Sequence, residues 1–279
     1  MAGGEQENYS VNRSERPIGV FDSGIGGLTV LKEIINLLPD ENTIYLGDTA
    51  RVPYGMRSPE TVTRYSFENT QFLSSQDIKL LVVACNTASA LSLDAVKARV
   101  SIPVTGVIEP GAKAAVKATK HRKVGVIGTE ATIKSNAYTR AIHAIDREIE
   151  VFGLPCPLFV PLVEEGWTEG QIPALIAATY LNEIKNKGID TVVLGCTHYP
   201  LLKKVISEAV GEQVRLIDSA VETSHEIKTT LEALGMKRKQ AGNARRKFFV
   251  TDSPERFLKV GERFLGQKLE HIDKIEVGG

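Results

Sequence analysis

The stretch that decides the fold is Lys79–Ser89, which reads KLLVVACNTAS. Its apolar residues, Leu80 to Ala84, run without interruption up to Cys85. A short apolar run bounded by polar residues is typical of a strand buried on both faces of a parallel sheet. The next segment, Ala88–Val100, has apolar residues at helical spacing. Cys85 is therefore predicted to lie at the carboxyl end of a buried strand, where open α/β sheets bind ligands.

A second stretch, Thr191–Leu202, repeats this arrangement as TVVLGCTHYPLL. Its apolar run ends at Cys196, and Pro200 suits the first turn of a following helix. Two buried strands thus each deliver a cysteine followed by small polar groups. We expect the two cysteines to face each other.

The starts of the two halves are also alike, because Ile18–Ser23 (IGVFDS) resembles Val124–Thr129 (VGVIGT). The cysteine that follows is 62 positions beyond Ser23 in the first half and 67 positions beyond Thr129 in the second. This pattern predicts a divergent internal duplication. Alternating strands and helices predict parallel α/β layers in both halves.

The fold class expected from these patterns is α/β, with two pseudo-symmetric parallel-sheet domains and the active site between them. Residues 1–16 are polar and aperiodic, which predicts a mobile N-terminal tail. The first domain is predicted to be discontinuous, residues 17–108 plus 220–279, because the last strand and helix would fold back on the first half. Residues 109–219 form the predicted second domain.

The bulk composition restricts the classes of partner. The chain has 279 residues, of which 42% are hydrophobic and 24% charged, as in an ordinary globular protein. Its formal net charge of +0 predicts no nucleic-acid or membrane partner. No apolar run approaches the roughly 18–20 residues of a membrane-spanning helix, and no signal-peptide pattern opens the chain. Three widely spaced cysteines favour a reducing cytoplasm, and no metal-site motif occurs.

The simplest interpretation of a cysteine in an apolar strand is a small core residue, and we keep it for Cys156. Cys85 and Cys196 differ from Cys156 because each of them precedes a helix, and the amino terminus of a helix stabilises a thiolate. His198 is two residues from Cys196. Asp22 would reach Cys85 if their strands are neighbours, although its charge alone disfavours a thiolate there.

Two pseudo-symmetric thiols suit a reaction whose two directions are mirror images. One thiolate removes a proton from a stereocentre, and the opposite thiol returns a proton to the other face. Inversion of a carbon centre is such a reaction.

The chain resembles the glutamate racemases, which are cofactor-independent amino-acid racemases. The resemblance is carried by four motifs in family order, with Gly128-Thr129 between the third and fourth: Asp22–Gly27 (DSGIGG), Pro53–Gly55 (PYG), Cys85–Thr87 (CNT) and Gly195–His198 (GCTH). It implies interconversion of L-glutamate and D-glutamate without pyridoxal phosphate or another cofactor. It also implies glutamate as the small-molecule partner, a cytoplasmic bacterial enzyme that supplies peptidoglycan synthesis, and a possible homodimer.

The resemblance further implies roles for individual residues. Cys85 and Cys196 would be the two proton donors and acceptors, with Asp22 assisting Cys85 and His198 assisting Cys196. The α-carboxylate and ammonium would be held by the following residues: Asn86, Thr87, Thr129 and Thr197. The side-chain carboxylate would be held by three others: Ser23, Tyr54 and Gly55. Asp22 and His198 would also contact the substrate.

One further acid is implied near the second cysteine. Glu164, in the sequence LVEEG, resembles the family residue, and the adjacent Glu165 is the alternative.

Several alternatives stay open on the sequence. Ser23 and Thr87 would be ordinary helix caps if they bind no substrate. The glycines of DSGIGG resemble a dinucleotide loop but do not match GxGxxG. The protein as a whole would otherwise be a racemase of aspartate or another acid, a thiol protein with a reversible Cys85–Cys196 disulfide, or a two-domain binding module without turnover.

Overall fold

The computed structural model describes residues 13–240 and 242–278. Its strands are β1 (Ile18–Asp22), β2 (Thr43–Gly47), β3 (Leu80–Val83), β4 (Val104–Gly106), β5 (Lys123–Gly128), β6 (Glu150–Pro155), β7 (Thr191–Gly195), β8 (Arg215–Asp218), β9 (Arg246–Val250) and β10 (Ile272–Lys274). Its α-helices are α1 (Leu28–Leu37), α2 (Pro59–Ser75), α3 (Asn86–Lys97), α4 (Ile108–Ala118), α5 (Glu130–Lys134), α6 (Ala137–His143), α7 (Phe159–Glu164), α8 (Gln171–Lys185), α9 (Lys203–Val210), α10 (Ser219–Ala233) and α11 (Pro254–Leu265). Two short 3₁₀ helices span Tyr54–Met56 and Tyr199–Leu202.

The two sheets are related to each other, and every strand pair in them is parallel. The first has the order β10-β9-β2-β1-β3-β4 and the second the order β6-β5-β7-β8. If β1 is superposed on β5 and β3 on β7, the four strands β2-β1-β3-β4 correspond in order to the four strands of the second sheet, β6-β5-β7-β8. The predicted α/β class with two pseudo-symmetric parallel sheets is confirmed.

The carboxyl-terminal segment joins the first sheet, because β9 pairs with β2 and β10 with β9. The domain limits at residues 108/109 and 219/220 stay predictions.

Helices cover both faces of the central strands, whose residues in β1, β3 and β7 are all buried. Helix α1 shows how the sequence achieves this cover. Leu28, Leu31 and Ile34 lie on one face at helical spacing and are fully buried, with α10 and α11 packed nearby. Each such side chain contributes about 1.5–3 kcal/mol through burial. Among the described residues, no helix combines the length and apolar character needed to cross a membrane.

The parallel arrangement brings the carboxyl ends of the central strands together. Phe21 of β1 is opposite Val83 of β3, and Gly128 of β5 is opposite Gly195 of β7. Within each sheet, the residues that follow these neighbouring strands therefore lie side by side, so Asp22 at the end of β1 is next to the strand that precedes Cys85.

The predicted mobile tail, residues 1–16, lies mostly outside the described residues. Of the part that is described, the Ser14 carbonyl accepts a hydrogen bond of 2.6 Å from the buried Lys79 ammonium. The Glu15 carbonyl accepts one of 2.8 Å from Asn42. The chain just before β1 is thus held at the amino-terminal edge of the first sheet, opposite the strand ends that carry the cysteines.

Candidate active site

Cys85 lies at the junction of β3 and α3, where it is the residue that caps the helix. Its Sγ accepts a hydrogen bond of 3.5 Å from the Ala88 N–H and donates one of 3.6 Å to Ser23 Oγ. Ser23 is within reach because it directly follows β1, the neighbour of β3. The caps of α1 and α3 are Gly27 and Cys85, so neither Ser23 nor Thr87 has that role.

The environment of Cys85 favours the neutral thiol. Burial, and then the negative charge of Asp22, raises the pKa of Cys85 to about 12. The contacts with Ala88 and Ser23 act in the opposite direction and are outweighed. The helix start therefore does not produce a thiolate here, and Cys85 carries its proton at neutral pH.

Cys196 has a different set of partners, centred on an imidazole. Its Sγ is 4.0 Å from His198 Nδ1, and the Nε2 atom of this ring is 3.2 Å from Glu164 Oε1. Burial alone would lower the pKa of His198, but contacts with Cys196 and Glu164 raise it to about 10. At neutral pH the ring is therefore a cation beside the sulfur, which stabilises negative charge there.

Glu164 rather than Glu165 is the acid that contacts this histidine. Glu165 has a side chain that is 68% exposed, and its ion pair is with Arg256 at 4.0 Å. The hydrogen bond to His198 is the main cause that lowers the pKa of Glu164, against the effect of burial. Glu164 is thus ionised when His198 is charged.

Helix α11, which belongs to the carboxyl-terminal segment, holds Glu164 from the other side. Arg256 donates a hydrogen bond of 3.1 Å to Glu164 Oε2, and Arg263 donates one of 2.9 Å to the Glu164 carbonyl. Sequence reasoning missed both arginines. Their spacing of seven residues places them on one face of α11, but no local pattern names Glu164 as their partner.

Asp22 lies at the end of β1 and is fully buried. Its Oδ2 accepts a hydrogen bond of 2.9 Å from the Gly24 N–H, whereas its Oδ1 has no protein partner. Burial raises the pKa of Asp22, and the charge of His198 opposes this shift. Because Asp22 interacts electrostatically with both Cys85 and His198, it lies within range of both cysteine sites.

The glycine-rich loop after β1 packs directly on the Cys196 loop. Thr29 of α1 donates a hydrogen bond of 2.9 Å to the Thr197 carbonyl. A Cβ atom on Gly26 would lie 2.2 Å from Thr197 Oγ1 and 2.5 Å from His198 Nδ1. The glycine at position 26 is therefore required by this close approach.

Three threonine hydroxyls connect the two halves on the other side. Thr87 Oγ1 is 3.0 Å from Thr129 Oγ1 and 3.3 Å from Thr132 Oγ1. Gly55 belongs to the same region, because a Cβ on it would lie 2.8 Å from the Thr129 Cβ. Thr132 was missed from the sequence, although its position three residues after the helix cap Thr129 was a usable signal.

Asn86 is the first residue of α3, and only one of the two polar atoms of its side-chain amide has a hydrogen-bond partner in the protein. Its Oδ1 accepts a hydrogen bond of 2.7 Å from the Tyr138 hydroxyl. Its Nδ2 is buried without a protein partner. Tyr138 was also missed from the sequence, and nothing in the local pattern singles it out.

The Tyr54 hydroxyl is already bonded within the protein. It donates to Asp48 and accepts a hydrogen bond of 3.1 Å from Asn69 Nδ2. Burial is the main cause that raises the pKa of Tyr54 well above its ordinary value. The phenol therefore anchors the loop that carries Gly55.

The site residues Asp22, Cys85, Cys196 and His198 are buried and carry the groups of acid–base chemistry. A cleft of about 160 Å³ adjoins it, lined in part by Gly24, Val52, Glu164 and Arg256. All three cysteines are free thiols, and Cys156 is buried in the core. Within residues 13–240 and 242–278, no group of three or more His, Cys, Asp or Glu is placed to hold a metal ion.

Comparisons with known proteins agree with this geometry. The Asp/Glu/hydantoin racemase family matches residues 18–226. A glutamate racemase of Geobacter metallireducens is 56% identical over 262 residues, which are 94% of this chain and 97% of the relative. A glutamate racemase structure from Bacillus anthracis has a TM-score of 0.91 at 44% identity and covers 94% of this chain and 98% of its own. A Francisella tularensis glutamate racemase in complex with D-glutamate has a TM-score of 0.89 at 41% identity, with 94% and 98% coverage. The chain therefore belongs to the Asp/Glu/hydantoin racemase family and, within it, to the glutamate racemases, which are isomerases.

Proposed function

We propose that this enzyme interconverts L-glutamate and D-glutamate by proton transfer between the substrate Cα and two cysteines. The observation that carries the proposal is the equivalent placement of Cys85 and Cys196. Each follows the matching strand of its sheet, β3 or β7, and the ends of the two sheets are joined through Thr87 and Thr129. A carbon held between these strand ends has one thiol available on each side.

The reaction balances without a further reagent. One cysteine, as a thiolate, takes the α-proton, so that its S–H bond forms as the Cα–H bond breaks. The opposite cysteine gives its proton to the other face of the resulting carbanion and becomes a thiolate. The reverse direction uses the same groups with exchanged roles.

The neighbours of each thiol give it a distinct starting state. Cys85 begins as a protonated thiol, and Asp22, its buried neighbour, is the group that receives or returns its proton. The His198 cation, held by Glu164, stabilises negative charge on Cys196. Because water is excluded from this buried site, the electrostatic interactions of the two thiols with their neighbours are strong.

Substrate binding is assigned to the polar groups around the thiols. The α-carboxylate and ammonium are held by four residues: Asn86, Thr87, Thr129 and Thr197. Asp22 and His198 also contact the substrate there. The unsatisfied Asn86 Nδ2 and Asp22 Oδ1 support this assignment, because a donor and an acceptor match a carboxylate and an ammonium. Ser23, Tyr54 and Gly55 bind the side-chain carboxylate, with Tyr54 contributing main-chain groups because its hydroxyl is engaged by Asp48.

The wider role follows from the family. D-glutamate bound to the Francisella relative supports glutamate as the substrate here. We propose that the enzyme works in the bacterial cytoplasm without a cofactor and supplies D-glutamate for peptidoglycan. A homodimer is the expected assembly, and the net charge of +0 gives no reason to expect a nucleic-acid or membrane partner.

The experiment is substrate profiling with purified protein, reductant and no added cofactor. Circular dichroism follows the optical activity of L-glutamate, L-aspartate and L-alanine in separate reactions. We expect the L-glutamate signal to decay to that of the racemate, and the other two to decay far more slowly. If only the L-aspartate signal decays, the substrate is aspartate rather than glutamate. If no signal decays, the proposed function is refuted.

A further inference from the structure

The contact between Tyr138 and Asn86 connects the two halves of the chain beside Cys85. Asn86 begins α3, directly after Cys85, whereas Tyr138 is on α6 in the second half of the chain. Both residues are 2% exposed. The bond of 2.7 Å between them therefore joins two buried polar groups that are 52 residues apart.

This bond determines which end of the Asn86 amide is free. In the structure the Tyr138 hydroxyl donates this hydrogen bond, and the amide oxygen Oδ1 of Asn86 accepts it. Burial raises the pKa of Tyr138 far beyond neutrality, so the phenol keeps its proton in the working pH range. The amide NH₂ is consequently turned away from Tyr138.

The NH₂ group so oriented has no protein partner. Asn86 Nδ2 and Asp22 Oδ1 are both buried and unsatisfied, and both belong to residues that follow or end central strands of the first sheet. A buried donor without an acceptor is costly, so a carboxylate that arrives with the ligand is a favourable partner. With the amide reversed, an oxygen would instead meet that carboxylate and repel it.

We propose that Tyr138 is a positioning residue for the racemase reaction, which holds the Asn86 amide so that its NH₂ group meets the α-carboxylate of the substrate. The inference rests on the proposed function. Tyr138 touches no reacting atom, so its effect is on substrate binding far more than on turnover of the bound substrate.

The test is Tyr138→Phe, which keeps the ring and removes the hydroxyl. Hydrogen bonds to charged groups are strong enough that we expect KM, and Kd for racemic glutamate by calorimetry, to rise about tenfold. We expect kcat to change less than about threefold, because the thiols are untouched.

Tyr199→Phe is the matched control. Tyr199 is also fully buried, and its hydroxyl donates a bond of 2.8 Å to the main-chain carbonyl of Cys156 rather than to a proposed substrate-binding side chain. We expect it to lower the melting temperature as Tyr138→Phe does and to leave KM and Kd within about twofold.

A double-mutant cycle separates positioning from a general structural effect. In the Asn86→Ala background, Tyr138→Phe should add no further rise in Kd. An equal rise in both backgrounds, or a folded Tyr138→Phe protein with unchanged Kd, would overturn the inference.

An observation on the unmutated protein guards against misfolding of the variant. The side-chain NH₂ signals of Asn86 in a ¹H–¹⁵N NMR spectrum, identified by their loss in Asn86→Ala, should shift on saturation with glutamate. Signals that stay in place would contradict the inference. Glutamate binding without turnover would refute the proposed function but leave the positioning of Asn86 supported, whereas absence of glutamate binding would overturn both.

Discussion

His198 and Glu164 form an ion pair, with Nε2 of the imidazole 3.2 Å from Oε1 of the carboxylate. The opposite ring nitrogen faces Cys196, so the second thiol has a cation beside it. Cys85, at the equivalent position of the first sheet, has Ser23 and the buried carboxyl group of Asp22 instead. The two pseudo-symmetric sheets thus place two thiols alike and surround them with unlike groups.

Replacing Glu164 by glutamine tests the ion pair. The loss of the carboxylate should lower the pKa of His198, so the alkaline limb of the pH–rate profile shifts to lower pH. Because a hydrogen bond to a charged group is lost, we expect kcat/KM to fall about 10- to 100-fold. Glu165→Gln is the control, since Glu165 is exposed and should behave like the unchanged enzyme. Equal pH profiles for both variants would contradict the assignment.

The same pair predicts how stability depends on pH. The folded-state pKa of His198, about 10, is above its ordinary value of 6.5. Its contribution is therefore fully present below pH 6.5 and is lost as the pH rises through 10. The melting-temperature difference between the unchanged protein and His198→Asn should shrink over this range in thermal unfolding experiments. A difference that grows with pH would contradict the raised pKa.

Gly26 and Gly24 form a matched pair of tests for the close approach of the glycine-rich loop. A Cβ at Gly26 would overlap Thr197 and His198, whereas a Cβ at Gly24 would meet the Val52 side chain at an ordinary 3.4 Å. We expect Gly26→Ala to lower kcat/KM by more than about 100-fold, because a small misplacement of catalytic groups has a large effect. Gly24→Ala should lower kcat/KM by less than about threefold, because the added Cβ is not crowded. Steady-state kinetics that rank them the other way would refute this account of the loop.

Much of the site was predictable because it depends on local pattern. The apolar runs before Cys85 and Cys196 predict two strand ends, and parallel pairing brings each of them beside the end of its neighbouring strand, β1 or β5. Gly26 belongs to a motif that marks a loop between strand and helix. The strand order of both sheets follows the same duplication that IGVFDS and VGVIGT indicated.

The remaining site residues depend on contacts between distant parts of the chain. Tyr138 and Asn86 are 52 positions apart, and Arg256 and Glu164 are 92 positions apart. No periodicity in either segment predicts such a pair. The unequal charge around the two thiols also needs three-dimensional burial, because it is burial that raises the pKa of Cys85.

Thr132→Val tests the hydroxyl cluster that connects the halves. The change should cost about 1 kcal/mol of unfolding free energy and raise KM several-fold, because Thr87 and Thr129 lose a shared partner. Thr70→Val is the control, since the buried Thr70 hydroxyl donates to the Ser66 carbonyl within its own helix. In denaturant unfolding, Thr70→Val should lose about as much unfolding free energy as Thr132→Val, but its KM should be unchanged. A raised KM in both variants would show a general effect of stability.

Replacement of each cysteine by serine isolates the two thiols. We expect kcat to fall by more than about 100-fold in Cys85→Ser and in Cys196→Ser, within the range for loss of a general acid or base. Cys156→Ser should retain most of the activity, because Cys156 is a core residue. A loss below about tenfold at Cys85 or Cys196 would count against its proton-transfer role.

The most direct test of the two-thiol mechanism is proton NMR of L-glutamate in D₂O with the unchanged enzyme and each single-cysteine variant. Early in the reaction, the unchanged enzyme should place deuterium at Cα of D-glutamate while the remaining L-glutamate keeps its proton, because removal and return use different groups. Each variant lacking Cys85 or Cys196 should stop racemising, and exchange at Cα should survive for one enantiomer only. If either variant racemises glutamate at a rate near that of the unchanged enzyme, the two-thiol account is wrong.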